Sequence, residues 1–324
     1  MKAIIYGPSR TLQLAEIDKP LPADDEVLIR VRAASVNPLD GHFLQTAPWL
    51  RSAMIKTLGA RVNRPGADVA GNVEAVGRKV TRFAVGDAVF GASGGGAFAE
   101  YACAPETKLA KKPENVSYAA ATTINVAGRT ALQGLRDVAG LASGQKVLVN
   151  GASGGVGTYA VQIAKWLGAE VTGVCSTRNL ELVRSIGADH VIDYTREDFA
   201  KGGVRYDVIF DLVGDRRLRS FTPVLSINGG RWIGGGVLGV EVSMLRMVAG
   251  IFNAPAMSLF SKHTFKTFIA KTSRGDLPEL GKLLDSGKIK AVIDRTFTLS
   301  EVPEAVRYVY TKHARGKVVI RIDP

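Results

Sequence analysis

The chain has only two cysteines in 324 residues, Cys103 and Cys175. Two thiols exclude a disulfide framework and a four-cysteine zinc site, and they read as ordinary reduced side chains. Histidine is equally scarce: His42, His190, His263 and His313 lie far apart in the sequence and form no ligand motif, so no metal site is expected. No apolar run is long enough to span a bilayer. The start, "MKAIIYGPSRTLQL", lacks the basic head, apolar stretch and small-residue cleavage site of a signal peptide. A cytoplasmic protein without stable membrane insertion is the expectation. Acidic residues are outnumbered 30 to 42, for a formal net charge of +12. The basic residues are scattered, and the densest run, Asp215 to Ser220, has no interleaved aromatics. That pattern describes a solvated basic surface rather than a nucleic-acid site, with a few charges available to an anionic cofactor.

Three regions separate by pattern. From residue 1 to about 121, short β-like runs such as "EVLIRVRAASV" and "VAGNVEAVG" alternate with turns. Gly66, Gly71, Gly77, Gly86 and Gly91 punctuate them, as bulges and corners of a curled sheet require. A mostly antiparallel, barrel-like domain is expected. From about 122 to 260, apolar runs such as "KVLVNG", "EVTGVCS" and "YDVIFDLVG" are separated, in the early part, by helical stretches. Strand and helix in alternation imply a parallel sheet with crossovers. From about 261 to 324 a helix ending in glycine, a strand, a second helix with Ser300 as candidate N-cap and a last strand "GKVVIRI" follow. This tail can complete the first domain.

The most informative stretch runs from Val147 to Asn179, "VLVNGASGGVGTYAVQIAKWLGAEVTGVCSTRN". Lys146 to Asn150 is the expected strand and Thr158 onward the expected helix. Between them, Ala152-x-Gly154-x-x-Gly157 is the dinucleotide fingerprint with its first glycine replaced by alanine. Gly154 lets a pyrophosphate approach the backbone, Gly157 lets the helix pack on the sheet, and the helix N-terminus favours an anion. Folds specific for NAD place an acid about 20 residues on, at the end of the second strand. This chain has no acid from Val171 to Asn179 and offers Ser176, Thr177 and Arg178 instead. Hydroxyls and a guanidinium welcome a 2′-phosphate that a carboxylate would repel. The expected cofactor is NADP(H), and Tyr194, after the third strand, is a candidate wall of the same pocket.

A small-strand domain, a "GASGGVG" nucleotide unit and a return to the first domain resemble the medium-chain dehydrogenase/reductase superfamily, within it the zinc-independent quinone oxidoreductase branch. The pieces that carry the resemblance are "ASVNPLD" (34–40), "PGADVAGNVEAVG" (65–77), "VGDAVFG" (85–91), "GASGGVG" (151–157), "GADHVIDY" (187–194) and "HARGKVVI" (313–320). The resemblance implies an α/β protein with a GroES-like, mostly antiparallel β-barrel domain (1–121 and 261–324) and a Rossmann domain with a doubly wound parallel sheet (122–260). It implies cofactor contacts from Ser153, Gly155 and Val156 at the pyrophosphate, and from Ser176, Arg178 and Tyr194 at the 2′-phosphate. Leu212 and Ile233 would meet the ribose and nicotinamide, and His313, Ala314 and Arg315 would make a late contact. Asn37 and Asp40 match positions at the family's catalytic cleft, with loop capping as the competing reading. Relatives that bind zinc carry a cysteine in the segment matching 34–40 and a His-Glu pair after the glycine matching Gly66. Here there is no cysteine, and Ala67-Asp68 follows Gly66.

Without a metal to hold an alkoxide, alcohol oxidation is disfavoured, and a hydride acceptor must already be electron-poor. A quinone or an α,β-unsaturated carbonyl qualifies. The developing negative charge needs a hydrogen-bond donor, for which the Asn37 amide is a candidate; Tyr6, Tyr101 and His42 are unsupported as acids. Phe43, Trp49, Leu50 and Met54 could line an apolar pocket, and the apolar stretch 237–260 could be core, substrate wall or partner surface. The resemblance also leaves a homodimer as an expectation. The competing function is an NADPH-binding sensor or structural protein with little turnover.

Overall fold

The computed structural model describes residues 1–7, 11–45, 64–93, 95–235, 254–255, 257–259 and 261–322. The chain divides into two units. The first comprises Met1–Val126, Thr272–Gly287 and Ile293–Pro324; the second comprises Ala127–Lys271 and Lys288–Val292.

In the first unit β1 (Lys2–Tyr6) and β2 (Leu12–Glu16) form an antiparallel pair. The long strand β3 (Glu26–Val36) leads into helix α1 (Pro38–Gln45), and β4 (Asp68–Val76), β5 (Ala88–Ala92), β6 (Tyr101–Pro105), β7 (Leu109–Lys111) and the short helix α2 (Tyr118–Thr122) follow. β3 is rich in β-branched residues and almost wholly buried, so it runs through the middle of the sheet. It pairs antiparallel with β4 and with β6. Val27, Ile29, Val31, Val69, Val73, Val89 and Phe98 form the centre of the core.

The second unit begins at α3 (Ala127–Leu132) and continues through β8 (Lys146–Asn150), α4 (Gly155–Trp166), β9 (Glu170–Cys175), α5 (Leu180–Ser185), β10 (His190–Asp193), β11 (Val208–Asp211), β12 (Arg231–Gly235) and β13 (Thr264–Phe268). All six strands are parallel, in the order β10-β9-β8-β11-β12-β13. This is the doubly wound arrangement, and its strand order reverses direction at β8. Because β13 pairs with β12, the second unit extends to Lys271, beyond the expected division at 260/261. The earlier division falls at Val126 rather than at 121, because Asn125 and the Val126 N–H bond to Asp68 of β4. Lys288–Val292 also belongs to the second unit. There Gln162 of α4 holds the Lys290 backbone through both its carbonyl (2.7 Å) and its amide (3.0 Å).

The chain then completes the first unit with α6 (Asp276–Asp285), β14 (Ile293–Thr298), α7 (Val302–Tyr310) and β15 (Lys317–Arg321). β15 pairs antiparallel with β3 and parallel with β14, which is the one parallel pair of that sheet. The cap ahead of α7 is Thr298, not Ser300. Thr298 and Glu301 form a capping box around a single 3₁₀ turn, which moves the helix start beyond the serine. No helix among the described residues is long and apolar enough to cross a membrane.

The turn between β8 and α4 depends on two glycines. Gly151 has φ +86°, a conformation that suits a residue without Cβ. At Gly157 a Cβ would lie 2.0 Å from the Gly151 carbonyl oxygen and 2.9 Å from the Ala152 Cα. Both neighbours are backbone and cannot swing away. Gly157→Ala is therefore expected to force α4 off the sheet and to lower stability by about 1–3 kcal/mol, read as a lower urea midpoint; an unchanged midpoint would contradict this packing.

Candidate active site

The helix after β8 begins at Gly155, three residues before the position expected from the sequence, with Gly154 as its N-cap. The tight-turn conformation belongs to Gly151, so the alanine in the fingerprint is not a substitution at the turn itself. Ala152 is fully buried, and its N–H donates to Val174 of β9 at 3.0 Å. A Cβ at Gly154 would meet only the Gly151 carbonyl, at 3.4 Å, which leaves the face above it open. Ser153, Gly155 and Val156 are half-buried around it. The first N–H groups of a helix have no intrahelical acceptor, and α4 has no acidic residue in its first turn. The turn lies where the strand order reverses, at the carboxyl ends of the strands, where doubly wound sheets bind ligands.

Ser176, Arg178 and Tyr194 gather beside it. β10 pairs with β9 so that Asp193 is opposite Cys175, and the Tyr194 N–H donates to the Cys175 carbonyl at 3.1 Å. Arg178 and Tyr194 are exposed and Ser176 is half-buried. Cys175 itself is buried, and that burial raises its thiol to about 11, so it is no nucleophile. The neighbouring strand does bring an acid close, Asp193, which lies outside the 171–179 window where an acid was sought. Its carboxylate accepts hydrogen bonds from Thr177 (2.5 Å) and from the Thr195 hydroxyl (2.7 Å) and backbone (3.0 Å). The Thr177 hydroxyl foremost holds it below the usual carboxylate range, and its charge is enclosed by donors.

Asn179, which sequence reasoning did not single out, lies beneath the candidate site. It is 4% exposed. Its amide nitrogen donates to Ser153 Oγ at 3.0 Å and to Ser176 Oγ at 3.2 Å, tying the glycine turn to the end of β9. Its carbonyl oxygen is buried with no hydrogen-bond partner among the described residues. A short polar residue three positions after a strand-end serine was the available signal. The remaining cofactor candidates are placed differently. Leu212 is half-buried just after β11, and its N–H donates to the Asn150 carbonyl. Ile233 is fully buried in the middle of β12, so its side chain offers no surface, contrary to its expected strand-end contact. His313, Ala314 and Arg315 lie on the first unit, in the turn between α7 and β15, where the Arg315 N–H donates to Asp294 at 2.9 Å.

In the first unit, Asn37 and Asp40 belong to a buried polar network that includes Ser35, Asp68, Asn125 and Lys317. Asp68, fully buried, accepts from Ser35 Oγ (2.6 Å), Asn37 Nδ2 (2.8 Å), Asn125 Nδ2 (2.8 Å) and the Val126 N–H (3.2 Å). Lys317 Nζ lies 3.6 Å from it and donates to Asn37 Oδ1 (2.7 Å) and to the Val36 carbonyl (3.1 Å). Burial pulls the Lys317 ammonium below its ordinary range, against the pull of Asp68 and Asp40. The Asn37 amide thus has its oxygen on Lys317 and its nitrogen on Asp68 and on the Ser35 carbonyl (3.3 Å). It has no proton left for a substrate oxyanion, which removes the role expected of it as a donor. Asp40 accepts from the Asn37 N–H (2.8 Å) and the Gly66 N–H (2.9 Å), so both oxygens clamp backbone. The capping reading accounts for its geometry, and Asp40 positions the start of α1 rather than facing a substrate.

Tyr6 donates to the Asp40 carbonyl and Tyr101 lies beneath the Lys19 ammonium, which leaves neither poised as an acid. The side chains of His42 and Phe43, the residues Trp49, Leu50 and Met54, and most of 237–260 lie outside the described residues. Among the described residues no group of three His, Cys, Asp or Glu could hold a metal.

Comparison with known proteins agrees with this architecture. The model described as alcohol dehydrogenase GroES-like domain matches residues 23–114, and that described as zinc-binding dehydrogenase matches 186–320. A chloroplast envelope quinone oxidoreductase homolog of Arabidopsis thaliana is 35% identical over 97% of this chain and 95% of its own. An NADPH-dependent alkenal/one oxidoreductase of the same plant is 33% identical, over 99% of this chain and 79% of its own. Among solved structures, the quinone oxidoreductase from Coxiella burnetii superposes with a TM-score of 0.86 at 30% identity, covering 100% of this chain and 99% of that one.

Burial raises the Asp40 carboxyl to about 6, against the two backbone N–H bonds; Asp68 adds to the rise and Lys317 opposes it. Between about pH 4 and 6 the folded chain keeps a proton that the unfolded chain has released. This residue's contribution to stability therefore falls as pH rises through that window. Relative to Asp40→Asn, the wild type is expected to lose on the order of 1–3 kcal/mol between about pH 4 and 7. Urea unfolding at each pH measures it; a difference between the two proteins that stays flat with pH would contradict the assignment.

Proposed function

The chain belongs to the medium-chain dehydrogenase/reductase family, in its quinone oxidoreductase branch, and on that premise we propose that it is an NADPH-dependent, zinc-independent reductase of quinones or α,β-unsaturated carbonyls. The observation that carries this reading is the end of β9. Ser176 and Arg178 follow it, Tyr194 is held to it by its backbone N–H on the Cys175 carbonyl, and Asp193, the acid that β10 brings opposite Cys175, is turned into the hydroxyls of Thr177 and Thr195.

The residues present fit NADPH. The open face of Gly154 would take a pyrophosphate against backbone. Ser176, Arg178 and Tyr194 would hold the 2′-phosphate, with Ala152 and Gly157 fixing the turn and Leu212 at the next strand end. When bound, the cofactor supplies the hydride. The protein orients it, so that the chemistry rests on geometry rather than on a metal. Zinc independence is supported by the absence of a cysteine in 34–40 and by Ala67 after Gly66. It is also supported by the engagement of Asp68 with four hydrogen-bond donors and a buried ammonium. Substrate class is supported by the relatives named as quinone and alkenal/one oxidoreductases and by the need for an electron-poor acceptor when no Lewis acid assists. A cytoplasmic location and a homodimer belong to the proposal, and neither is needed for the chemistry.

Mixing the protein with NADPH or NADH and a small quinone or a short enone, and following absorbance at 340 nm, tests the reading. Turnover with NADPH on either acceptor, at a kcat/KM at least about tenfold above that with NADH, is expected. Arg178→Ala should cut the NADPH value by about tenfold and leave NADH nearly unchanged. NADPH binding without turnover on either acceptor would favour the sensor reading, and a preference for NADH would overturn the cofactor assignment.

A further inference from the structure

We propose that Asn179 is a positioning residue that sets the preference for a 2′-phosphorylated cofactor, by fixing the Ser176 hydroxyl as a hydrogen-bond donor to the 2′-phosphate while holding Ser153 in the same way at the pyrophosphate turn. The inference rests on the NADPH reading above and adds the device that enforces it. A serine hydroxyl has one proton and two lone pairs. At both Ser153 and Ser176 a lone pair is taken by the Asn179 amide, at 3.0 and 3.2 Å. Each serine then still has its own proton to give outward, and a phosphate, which has only acceptors near neutral pH, is the group that uses it. Thr177, the exposed residue next to Ser176, is arranged the other way: its proton goes to Asp193 at 2.5 Å.

The amide orientation follows from the burial of Asn179. With the nitrogen toward the serines, one acceptor is left without a partner among the described residues. With the amide flipped, two N–H protons would be left buried instead, a larger penalty. The Asn179 N–H also donates to the Ser176 carbonyl at 2.8 Å, which locks the residue under both hydroxyls. One side chain thereby couples the glycine turn after β8 to the end of β9, and both serines are polarised in the same direction.

Equilibrium binding of NADPH and NADH, read by quenching of protein fluorescence, tests this without turnover. Asn179→Leu, of similar volume and with no donor, lets the serine hydroxyls rotate. It is expected to weaken NADPH by about tenfold and NADH by less than about threefold. Ser153→Ala/Ser176→Ala, which alters two half-buried positions and spares the buried one, should lower the NADPH-to-NADH ratio similarly. Adding Asn179→Leu to that pair should change the ratio no further, as residues acting through one another require. A wild type with no preference would overturn the NADPH reading itself. A wild-type preference retained in Asn179→Leu or in the double serine variant, or equal weakening of both cofactors, would overturn this inference alone.

Discussion

A charge withdrawn from water has to be matched inside the protein, and Asp68 is the charge on which the first unit is organised. It is wholly buried at the start of β4, where four hydrogen-bond donors and the Lys317 ammonium converge. Those groups come from β3, the loop after it, the segment after α2 and β15. Removing one partner of such an ensemble leaves an uncompensated charge, which is far costlier than never having buried the pair. The return of the chain through β14 and β15 thus places the Lys317 cation against Asp68 and adds a strand to β3.

The second unit inverts that logic. At the turn after β8 the N–H groups of Gly151, Ala152 and Gly154 are bonded within the protein, but the start of α4 is left open. The face above Gly154 is open, no carboxylate occupies the first turn of α4, whose first N–H groups have no intrahelical acceptor, and the two serines accept from Asn179 with their own protons unspent. A buried anion satisfied from within and a surface prepared for an anion from outside are two outcomes of the same electrostatic requirement. The contrast separates the candidate residues. Asn37 and Asp40 are buried in the fold, whereas Arg178 and Tyr194 are exposed and Ser176 is half-buried, just beyond the carboxyl ends of β9 and β10.

Much of this was legible in the sequence. The strand Lys146–Asn150 matched its predicted span, because a short apolar run before a glycine turn leaves little choice. The parallel sheet and the mostly antiparallel domain followed from pattern alone. The features that escaped depend on distance along the chain. Lys317 reads as one more cation ahead of an apolar strand, and only the pairing of β15 with β3 brings it to Asn37, 280 residues away in sequence. Asp193 is invisible to a search along β9, since it arrives from the neighbouring strand. β13 is the five residues "TFKTF", strand-favouring in type but short, and its pairing with β12 is what places it in the sheet. Ile233 was placed at a strand end by the family resemblance, yet Gly234 and Gly235 continue β12 beyond it.

The central claim is that the end of β9 recognises a phosphate on the 2′ position of the adenosine ribose. Calorimetric titration with adenosine 2′,5′-bisphosphate and with adenosine 5′-monophosphate isolates that group from nicotinamide, substrate and turnover. The account predicts that the bisphosphate binds at least about tenfold more tightly, a difference of about 1.4 kcal/mol or more, and that the difference shrinks as salt is added. Equal affinities, or tighter binding of the monophosphate, would contradict it.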